Sequence, residues 1–461
     1  MKQTIKIIIA AVVVLSGMFV TNQAMATDGY FSCGYGTQSK GMGGVGIAWY
    51  KNSLINGNPA GLVSLGKQYS ISVGLFNPNR EYTVTGNPSM MPGTFGLLPG
   101  TVKSDSKMFV IPSIGANWML NDKSSFSIAL FGNGGMNTDY PPTTLPDGSK
   151  MGTFGSTGST GVNLMQMFLG VSYSRNIAKN HSFGITGLIA YQMFEAKGLG
   201  AFAPFSSAPD KLTDNGMDNA TGFGFKLGYM GKLAKGLTLG ASYQTMLYMS
   251  EFDDYAGLFA EQGDFNIPST WTIGLAYEIN EDWAVMADFK RINYTDVASV
   301  SNPMDPMALP PAFLNPGGNP NNPADYTPNP NHVPLGADNG AGFGWEDINI
   351  LKFGMEYSGI KDWTLRAGYS HTEQPIQSSE VLFNILAPGV IEDHVTFGFS
   401  KNIGDSGKAV HVAFCYALPA SVKGYNPMDY EFDTNTGMPT GHNQTINLDM
   451  NQLEIDIAFT F

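Results

Sequence analysis

The sequence predicts an all-β fold: a 14-stranded antiparallel transmembrane β-barrel with an N-terminal hatch, or plug, in its lumen. Charged residues make up only 14% of the 461 residues, whereas soluble domains carry roughly 25%. After the N-terminal segment, no apolar run reaches the roughly 20 residues that a membrane-spanning helix needs. Segments of alternating polarity are joined by short polar turns and long loops in succession, as in membrane barrels. These observations exclude a multi-helix transporter and an ordinary soluble enzyme.

Residues 1–26 have the three parts of a secretory signal peptide. Lys2 and Lys6 form a basic start, and the run Ile7–Val20 is apolar. Ala24-Met25-Ala26 then offers the small residues of a cleavage site. We predict cleavage after Ala26, because the apolar run is short for the alternative, an uncleaved membrane anchor.

Charge, histidines and cysteines limit the partners further. The formal net charge is −13, and no cluster of Lys and Arg offers the phosphate contacts that nucleic acid needs. The six histidines are scattered without the spacing of metal ligands, so no metal site and no cofactor are expected. Cys33 and Cys415 can pair in an oxidising export route, but we expect two unpaired buried residues, because two cysteines make no disulfide framework.

The strands are assigned from alternation, because successive side chains of a strand point to opposite faces. In the C-terminal segment, polar residues at Glu454, Asp456 and Thr460 alternate with apolar ones at Leu453, Ile455, Ile457, Phe459 and Phe461. The same period gives fourteen candidate strands, at residues 67–77, 106–119, 124–139, 161–176, 181–197, 221–233, 236–250, 270–280, 281–298, 346–358, 361–373, 392–403, 406–421 and 448–461.

The connections between these strands alternate in length. Six are tight polar turns, at residues 120–123, 176–180, 232–236, 279–282, 359–362 and 402–405. The others are long, and the longest, at about 299–344, is rich in Pro, Asn and Gly. Short periplasmic turns and long extracellular loops are typical of outer-membrane barrels, so we predict the outer membrane of a Gram-negative-type bacterium. A soluble β-sandwich or propeller, the alternative, explains neither the unequal loops nor the repeated apolar face.

Residues 27–66, which precede the first strand, lack the strand pattern and are rich in small residues. Six glycines between Gly34 and Gly46 permit sharp bends. Nucleotide binding is disfavoured, because no strand–helix unit with basic phosphate contacts follows these glycines. An open lumen of fourteen strands would leak. We therefore predict that residues 27–66 fill the lumen as a hatch and that residues 67–461 form the barrel.

Four segments match a known family: 41–48 (GMGGVGIA), 58–62 (NPAGL), the third strand with its exit at 129–141, and 283–294 in the ninth strand. They resemble the FadL family of outer-membrane channels, which includes long-chain fatty acid transporters and TodX-type aromatic hydrocarbon porins. The resemblance covers essentially the whole mature chain. It implies passive uptake of hydrophobic molecules, a hatch that shifts, and a kinked third strand that opens the wall laterally. It gives hatch or gating roles to Asn58, Pro59, Ala60, Gly132, Gly134 and Gly135.

The glycines of the third strand also have a meaning of their own. A glycine cluster weakens a strand and marks a bulge or a bend. The alternative is that Gly132, Gly134 and Gly135 merely begin a loop and have no gating role.

Parity identifies the side chains that face the lumen. If the apolar side chains of each strand face lipid, the alternate side chains face the lumen. These alternate side chains are apolar in the outer half of the barrel and polar near the periplasm. The polar ones of the inner half are Asn117, Ser127, Ser172, Ser174, Thr186, Glu278, Glu454 and Asp456. Apolar walls suit apolar ligands. The predicted substrate-binding residues are Phe31, Phe109, Ile111, Phe131, Phe168, Phe194, Met246, Tyr248, Met286, Lys290, Ile292 and Tyr294. The alternative is packing against the hatch, and a one-residue slip inverts any of these assignments.

Cations in the lumen help to distinguish between the possible classes of substrate. Lys290, Lys352 and Arg366 have lumen parity, with Asp288 and Glu356 available as partners. A fatty acid carboxylate would favour such a cation, whereas a hydrocarbon needs none. We favour a structural charge ladder over a carboxylate clamp, and the choice between fatty acids and aromatic hydrocarbons stays open.

Three functions from different classes are distinguished. A channel for hydrophobic small molecules is our prediction, with outer-membrane lipid and lipopolysaccharide around a monomer. A general diffusion porin for small polar solutes would have no hatch. An outer-membrane enzyme would need a Ser/His/Asp or paired-acid site, and His371 and His394 have no G-x-S-x-G partner. An adhesin role for the long loop is compatible with transport.

Overall fold

The computed structural model describes residues 27–49, 57–90, 94–306, 308–309, 313–314, 327–404, 407–432 and 439–461. The predicted signal peptide, residues 1–26, and part of the predicted hatch, residues 50–56, lie outside the described residues. Within the described ranges, no helix is long and apolar enough to cross a membrane.

Fourteen long strands form one closed antiparallel barrel, which confirms the predicted fold class. In chain order they are β1 (Gln68–Thr85), β2 (Phe109–Asn121), β3 (Ser124–Asn137), β4 (Gly161–Ala178), β5 (His181–Lys197), β6 (Asp218–Ala234), β7 (Leu237–Gln244), β8 (Thr270–Glu278), β9 (Trp283–Ile292), β10 (Ile348–Ile360), β11 (Trp363–Thr372), β12 (Asp393–Ile403), β13 (Lys408–Tyr425) and β14 (Thr445–Thr460). Each strand pairs with the next, and β14 pairs with β1 to close the barrel. Short turns follow the even-numbered strands and long loops the odd-numbered ones, except at closure.

The two faces of the barrel wall differ in polarity, as the alternation predicts. On β10, Leu351, Phe353 and Met355 point outward and are exposed, whereas Ile350 and Lys352 are buried inside. Apolar side chains on the outer face suit contact with lipid. Aromatic rings gather near the short turns: the Tyr69 ring lies 5.4 Å from Phe461 and 6.1 Å from Trp118. Such a girdle marks the membrane–water interface of a barrel.

All fourteen predicted spans overlap a strand, and their ends differ most at β1, β7 and β9. β1 continues beyond the predicted residue 77, because its polar outer end still pairs with β14. β7 is shorter than predicted because a bulge follows Gln244. β9 ends at Ile292, and the chain then forms the 3-10 turn Tyr294–Asp296 and the helix Ala298–Ser301.

Shorter elements lie between and before the barrel strands. A helical turn spans Thr37–Lys40, and a turn with left-handed backbone spans Ala260–Gly263. The further 3-10 turns are Pro59–Ser64, Gly200–Phe205, Pro209–Lys211, Asp253–Tyr255, Ser378–Glu380 and Phe383–Ile385. The short strands are Thr27–Asp28, Phe31–Ser32, Gly100–Lys103, Thr143–Thr144, Lys150–Met151, Tyr248–Met249, Phe313–Leu314, Thr327–Pro328, Tyr430–Phe432 and Pro439–His442.

The N-terminal segment packs against the inner face of the barrel. Asn58 and Ala60 are fully buried there. Glycines on the barrel strands leave room for its backbone, since a Cβ on Gly228, Gly240 or Gly368 would lie 2.1 Å from an atom of the segment. These inward glycines explain part of the high glycine content of the chain.

Candidate functional site

Five aromatic rings meet in the outer half of the lumen, and we call them the aromatic cluster. The Tyr30 ring centroid lies 5.2 Å from those of Phe31 and Tyr294, 5.8 Å from Trp345 and 6.2 Å from Phe265. Tyr30 and Phe31 come from the N-terminal segment, and the other three rings follow barrel strands or lie in loops. The outer lumen is therefore filled by the chain's own aromatic side chains.

The predicted substrate-binding residues fall into separate groups. One continuous apolar core contains six of them: Phe31, Phe131, Phe168, Phe194, Ile292 and Tyr294. Met246 is half-buried against the same core. Phe109 and Ile111 lie in a smaller group with the two cysteines, and Met286 packs against the N-terminal segment. For these last three residues, the structure favours the alternative of packing against the hatch.

Tyr248 does not face the lumen, which corrects the parity assignment. Its side chain is 61% exposed, and it pairs with Phe223, which is 62% exposed. The β6–β7 register shifts by one residue between the pairs Lys226–Gln244 and Phe223–Tyr248. A bulge of one residue turns the following side chains to the other face. Leu247 takes the buried position instead.

An apolar cavity of about 40 Å³ lies beside Phe194. Its lining consists of Val162, Phe194, Leu199, Phe202, Leu258, Phe259, Ser299, Leu335, Ala341, Gly342, Phe343, Phe383 and Leu386. A cavity that holds benzene measures roughly 150 Å³, so ligand entry requires these side chains to part. Sequence reasoning found only Phe194, because the others lie mostly in loops without periodicity. Their one signal is the frequency of Leu and Phe in otherwise polar loops.

Below the aromatic cluster, Asp28 joins the N-terminal segment to two barrel lysines. Asp28 Oδ2 accepts hydrogen bonds from Lys290 Nζ at 3.2 Å and from Lys352 Nζ at 2.9 Å. The Tyr294 hydroxyl donates to the Asp28 carbonyl at 2.7 Å. Burial raises the pKa of Asp28, but Lys352 and Lys290 outweigh burial, and the net effect lowers it. The carboxylate stays ionised and ties the segment to β9 and β10.

Of the two acids predicted as partners of the lumenal cations, one forms an ion pair with a cation and the other binds backbone groups. Arg366 pairs with Glu356, with Nε 2.9 Å from Oε2. Asp288 instead accepts from the backbone N–H groups of Gly46 and Ile47, at 2.9 and 3.2 Å. Strand parity offered no sign of Asp28, because Asp28 lies outside the barrel strands. The paired cations neutralise buried acids, as in a charge ladder.

Asn58, Pro59 and Ala60 form a tight turn against the inner half of the wall. Asn58 Nδ2 donates to the carbonyl oxygens of Ile47 at 2.7 Å and Tyr229 at 3.0 Å. Asn58 Oδ1 accepts from the Ala60 N–H at 3.0 Å and so caps the 3-10 turn that Pro59 begins. Asparagine is a favoured N-cap, and proline is favoured at the first position of such a turn. This turn therefore fixes the segment to β6.

The ladder between β2 and β3 is incomplete, and we call its outer part the β2–β3 seam. Pairing runs outward to Ile114–Leu130 and stops there. β2 nevertheless extends to Phe109, and residues 109–113 have no ladder partner on β3. Pro112 lies in this stretch and has no N–H to donate. In the outer half of the wall these two strands are therefore not joined by a backbone ladder.

The third strand bulges next to this seam. The β3–β4 register shifts between Gly132 and Gly134, which leaves Asn133 as the additional residue. The Asn133 side chain is fully buried. Its Oδ1 accepts from the Tyr35 hydroxyl at 2.6 Å, and its Nδ2 donates to Gln166 Oε1 at 2.9 Å. The glycines thus mark a bulge, and a buried polar side chain stabilises it.

The free edge of β3 pairs with the N-terminal segment. Gly134 pairs with Phe31, and the Gly135 N–H donates to the Tyr30 carbonyl at 3.0 Å. A Cβ on Gly134 would lie 1.8 Å from that carbonyl oxygen. Glycine is therefore required where the segment replaces β2 as the neighbour of β3.

The inner end of the lumen is polar. A wide mouth of about 810 Å³ opens between the short turns and is bordered by Trp49, Lys123, Lys232 and Glu278. The other polar residues predicted for the inner half are buried in the lumen: Asn117, Ser127, Ser172, Ser174, Thr186, Glu454 and Asp456. Polarity changes along the barrel axis as parity predicted.

Comparison with known proteins places this architecture in a family. The profile of the family described as "Outer membrane protein transport protein (OMPP1/FadL/TodX)" matches residues 18–416. The comparison with curated proteins finds no match. The Pseudomonas putida toluene transporter TodX superposes with a TM-score of 0.60 at 19% identity, over 93% of this chain and 98% of that one.

Two further solved structures are similar. A Pseudomonas aeruginosa FadL homologue gives a TM-score of 0.62 at 14% identity, over 94% of this chain and 99% of that one. The Ralstonia pickettii toluene transporter TbuX gives 0.55 at 16% identity, over 93% and 98%. At these identities the structures share the fold, whereas the family profile covers most of the sequence. The chain is an outer-membrane transport β-barrel that belongs to the OMPP1/FadL/TodX family.

Proposed function

We propose that the barrel carries small hydrophobic molecules passively from the extracellular side and releases them laterally through the β2–β3 seam. The observation that carries this proposal is the apolar cavity beside Phe194, in the outer half of the lumen. Apolar walls bind apolar ligands. A general diffusion porin, the alternative, needs a polar lumen along its whole length, whereas here one apolar core of buried aromatic and aliphatic side chains fills the outer half.

The N-terminal segment acts as the hatch in this proposal. Tyr30 and Phe31 occupy the aromatic cluster, and Asn58 ties the same segment to the wall. A ligand that enters between the aromatic rings must displace Tyr30 or Phe31. Because Phe31 pairs with Gly134 at the seam, its displacement frees the edge of β3. Ligand entry and opening of the wall are therefore coupled through one pair of residues.

Uncharged aromatic molecules are the substrate class that we favour. Lys290 and Lys352, the cations below the aromatic cluster, are both engaged by Asp28, so neither is available to a carboxylate. One observation favours long-chain fatty acids as a second candidate. The Lys226 ammonium is buried 5.1 Å from the centre of the Tyr35 ring and has no ion pair with a described carboxylate.

The apolar outer face of the barrel indicates which molecules surround it. Exposed apolar side chains on the strands suit outer-membrane lipid, with lipopolysaccharide in the outer leaflet. The ladder closes within a single chain, so a monomer suffices for transport. The proposed transport is diffusive and needs no cofactor.

Uptake by cells that lack other such channels tests the proposal. We expect this protein to speed uptake of radiolabelled toluene, with less effect on oleate and none on sucrose. Phe259→Ala, in the cavity lining, should lower toluene uptake about fivefold, because one ring of the apolar wall is lost. Phe223→Ala, on the lipid-facing side, is the matched control and should leave uptake unchanged. Sucrose uptake equal to that of toluene would support the porin alternative.

A further inference from the structure

The two cysteines of the chain lie side by side although 382 positions separate them. The sulfur atoms of Cys33 and Cys415 are 3.4 Å apart, and each residue is only 1% exposed. Cys33 belongs to the N-terminal segment and Cys415 to β13. A disulfide bond measures about 2.05 Å, so the two sulfurs need to approach by about 1.4 Å.

The surroundings of this pair suit a disulfide better than any other cysteine chemistry. Phe76, Phe109 and Ile111 form an apolar group with the two cysteines. Within the described residues, no set of three or more Cys, His, Asp or Glu residues is arranged to hold a metal ion. The chain contains no third cysteine with which either of the two could pair instead. An outer-membrane protein folds along an oxidising route, where closely placed thiols become oxidised.

We propose that Cys33 and Cys415 form a disulfide in the exported protein and tie the hatch covalently to β13. One thiolate attacks the disulfide of an exported thiol oxidase and forms a mixed disulfide. The second thiolate then attacks that bond and releases the oxidase as a dithiol. Two protons leave the cysteines, and two electrons reduce the oxidase. Because both thiols are buried in the folded protein, oxidation precedes the final seating of the hatch.

The position of this bond separates two stretches at the start of the hatch. Residues 27–32 precede Cys33 and form what we call the arm, which contains Tyr30 and Phe31. Residues 34–49 follow it and form what we call the base. Lys40 in the base pairs with Glu454 at 2.5 Å and with Asp456 at 3.0 Å. Glu454 is the β14 partner of Cys415, so the ion pair and the disulfide anchor the base at the same place.

This division restricts the movement that transport can use. If the proposed function is correct, Tyr30 and Phe31 of the arm move when ligand enters, while the base stays attached to β13 and β14. The disulfide itself does not depend on that function. Its presence can be measured without any transport assay, so the two proposals can fail separately.

Counting thiols in the full mature protein tests the disulfide. The protein is purified without reductant, unfolded by boiling in detergent, and treated with a polyethylene glycol maleimide that shifts the gel band once for each thiol. We expect no shift before reduction and two additions after it. Cys415→Ser is the matched control and should show one addition in both cases. Two additions without reduction, or a dimer that reduction dissolves, would overturn the proposal.

A second measurement tests the burial of the bond. In the folded protein, a water-soluble phosphine should reduce the disulfide at least about tenfold more slowly than in the unfolded protein, because both sulfurs are enclosed. Mass spectrometry of an unreduced digest should show one peptide pair that joins Cys33 to Cys415. Equal reduction rates in the two states would contradict a bond at the hatch–wall contact.

Discussion

Two seams of the barrel differ in the length of their backbone ladders. β14 and β1, which join the two ends of the barrel sequence, pair without interruption from Thr460–Ser70 to Thr445–Thr85. β2 and β3 are neighbours in sequence, yet their ladder stops at Ile114–Leu130. The interrupted ladder therefore lies between strands that are neighbours in sequence, and not where the two ends of the barrel sequence meet. Pro112 on one side and the glycine bulge on the other end the ladder.

The two seams also differ in what occupies the edges of their strands. At β14–β1 each edge is used by the other strand, whereas at β3 the edge is used by Phe31 of the arm. An unpaired edge is a binding site for another strand. The N-terminal segment takes this position from within the same chain, and in the proposed function it joins the closure of the lumen to the closure of the wall.

Removal of the hatch should change transport most, because it opens a path straight through the lumen that depends on neither seam. We expect deletion of residues 27–60 to raise small-ion conductance in planar bilayers by on the order of tenfold or more, since fourteen strands enclose a wide lumen. Selective uptake of hydrophobic molecules should be lost. A folded deletion variant with unchanged conductance would show that this segment is not a plug.

A bulky side chain at the arm–seam contact should have the next largest effect. Gly134→Val places a Cβ 1.8 Å from the Tyr30 carbonyl oxygen and so expels the arm from β3. Because displacement of Phe31 frees the edge of β3, toluene uptake should rise by about tenfold, the equivalent of roughly 1.4 kcal/mol. Gly187→Val is the matched control, because no atom of the described residues lies within 4 Å of a Cβ at that position. If both variants behave alike, the contact between Gly134 and the arm has no role in gating.

Loss of the Asp28 carboxylate should have a smaller effect, on stability. Asp28→Asn leaves Lys290 and Lys352 buried without an anion, which should cost about 3 kcal/mol in the free energy of unfolding. Asp147→Asn, on an exposed loop, is the control and should change little. Urea unfolding measures both variants.

The stabilisation by Asp28 should also depend on pH, and the Asp28→Asn variant reveals this dependence. Because the folded pKa of Asp28 lies below its ordinary value of 3.8, the stabilisation by Asp28 is complete above about pH 4 to 5. It is lost as pH falls through the lowered value. The gap in stability between the wild type and Asp28→Asn should therefore narrow as the pH falls below 3.8. A gap that already narrows between pH 8 and 6 would contradict an ionised Asp28.

Much of the fold could be predicted from the sequence because the strand period is local. The alternation on β10 or β14 is visible in a dozen residues, and each predicted span overlaps a strand. Parity then placed Phe168 and Tyr294 correctly inside the lumen. It failed at Tyr248, because a single-residue bulge leaves no mark in a hydrophobic pattern.

The rest of the site depends on contacts between segments that are distant in the sequence. Asp28 reaches Lys290 and Lys352 only after the N-terminal segment has entered the barrel. The cavity lining comes from loops such as those that carry Leu199 and Phe343, and loops have no period to detect. The glycine bulge was predicted, but its pairing with Phe31 was not.

A reversible staple across the β2–β3 seam tests lateral release most directly. Cysteines at Ser113 and Phe131, the positions next beyond the last pair, are joined by oxidation in a Cys33→Ser/Cys415→Ser background. A staple at Val73 and Ile457, which already pair across β14–β1, is the control. Comparing the oxidised and reduced forms of each protein removes the effect of the substitutions themselves.

Toluene uptake through these two stapled proteins is the deciding measurement. We predict that oxidation of the Ser113/Phe131 variant lowers uptake to near the background rate and that reduction restores it. The Val73/Ile457 variant should transport equally in both forms. Full uptake through an oxidised β2–β3 staple would contradict lateral release and would place the exit of the ligand at the periplasmic mouth.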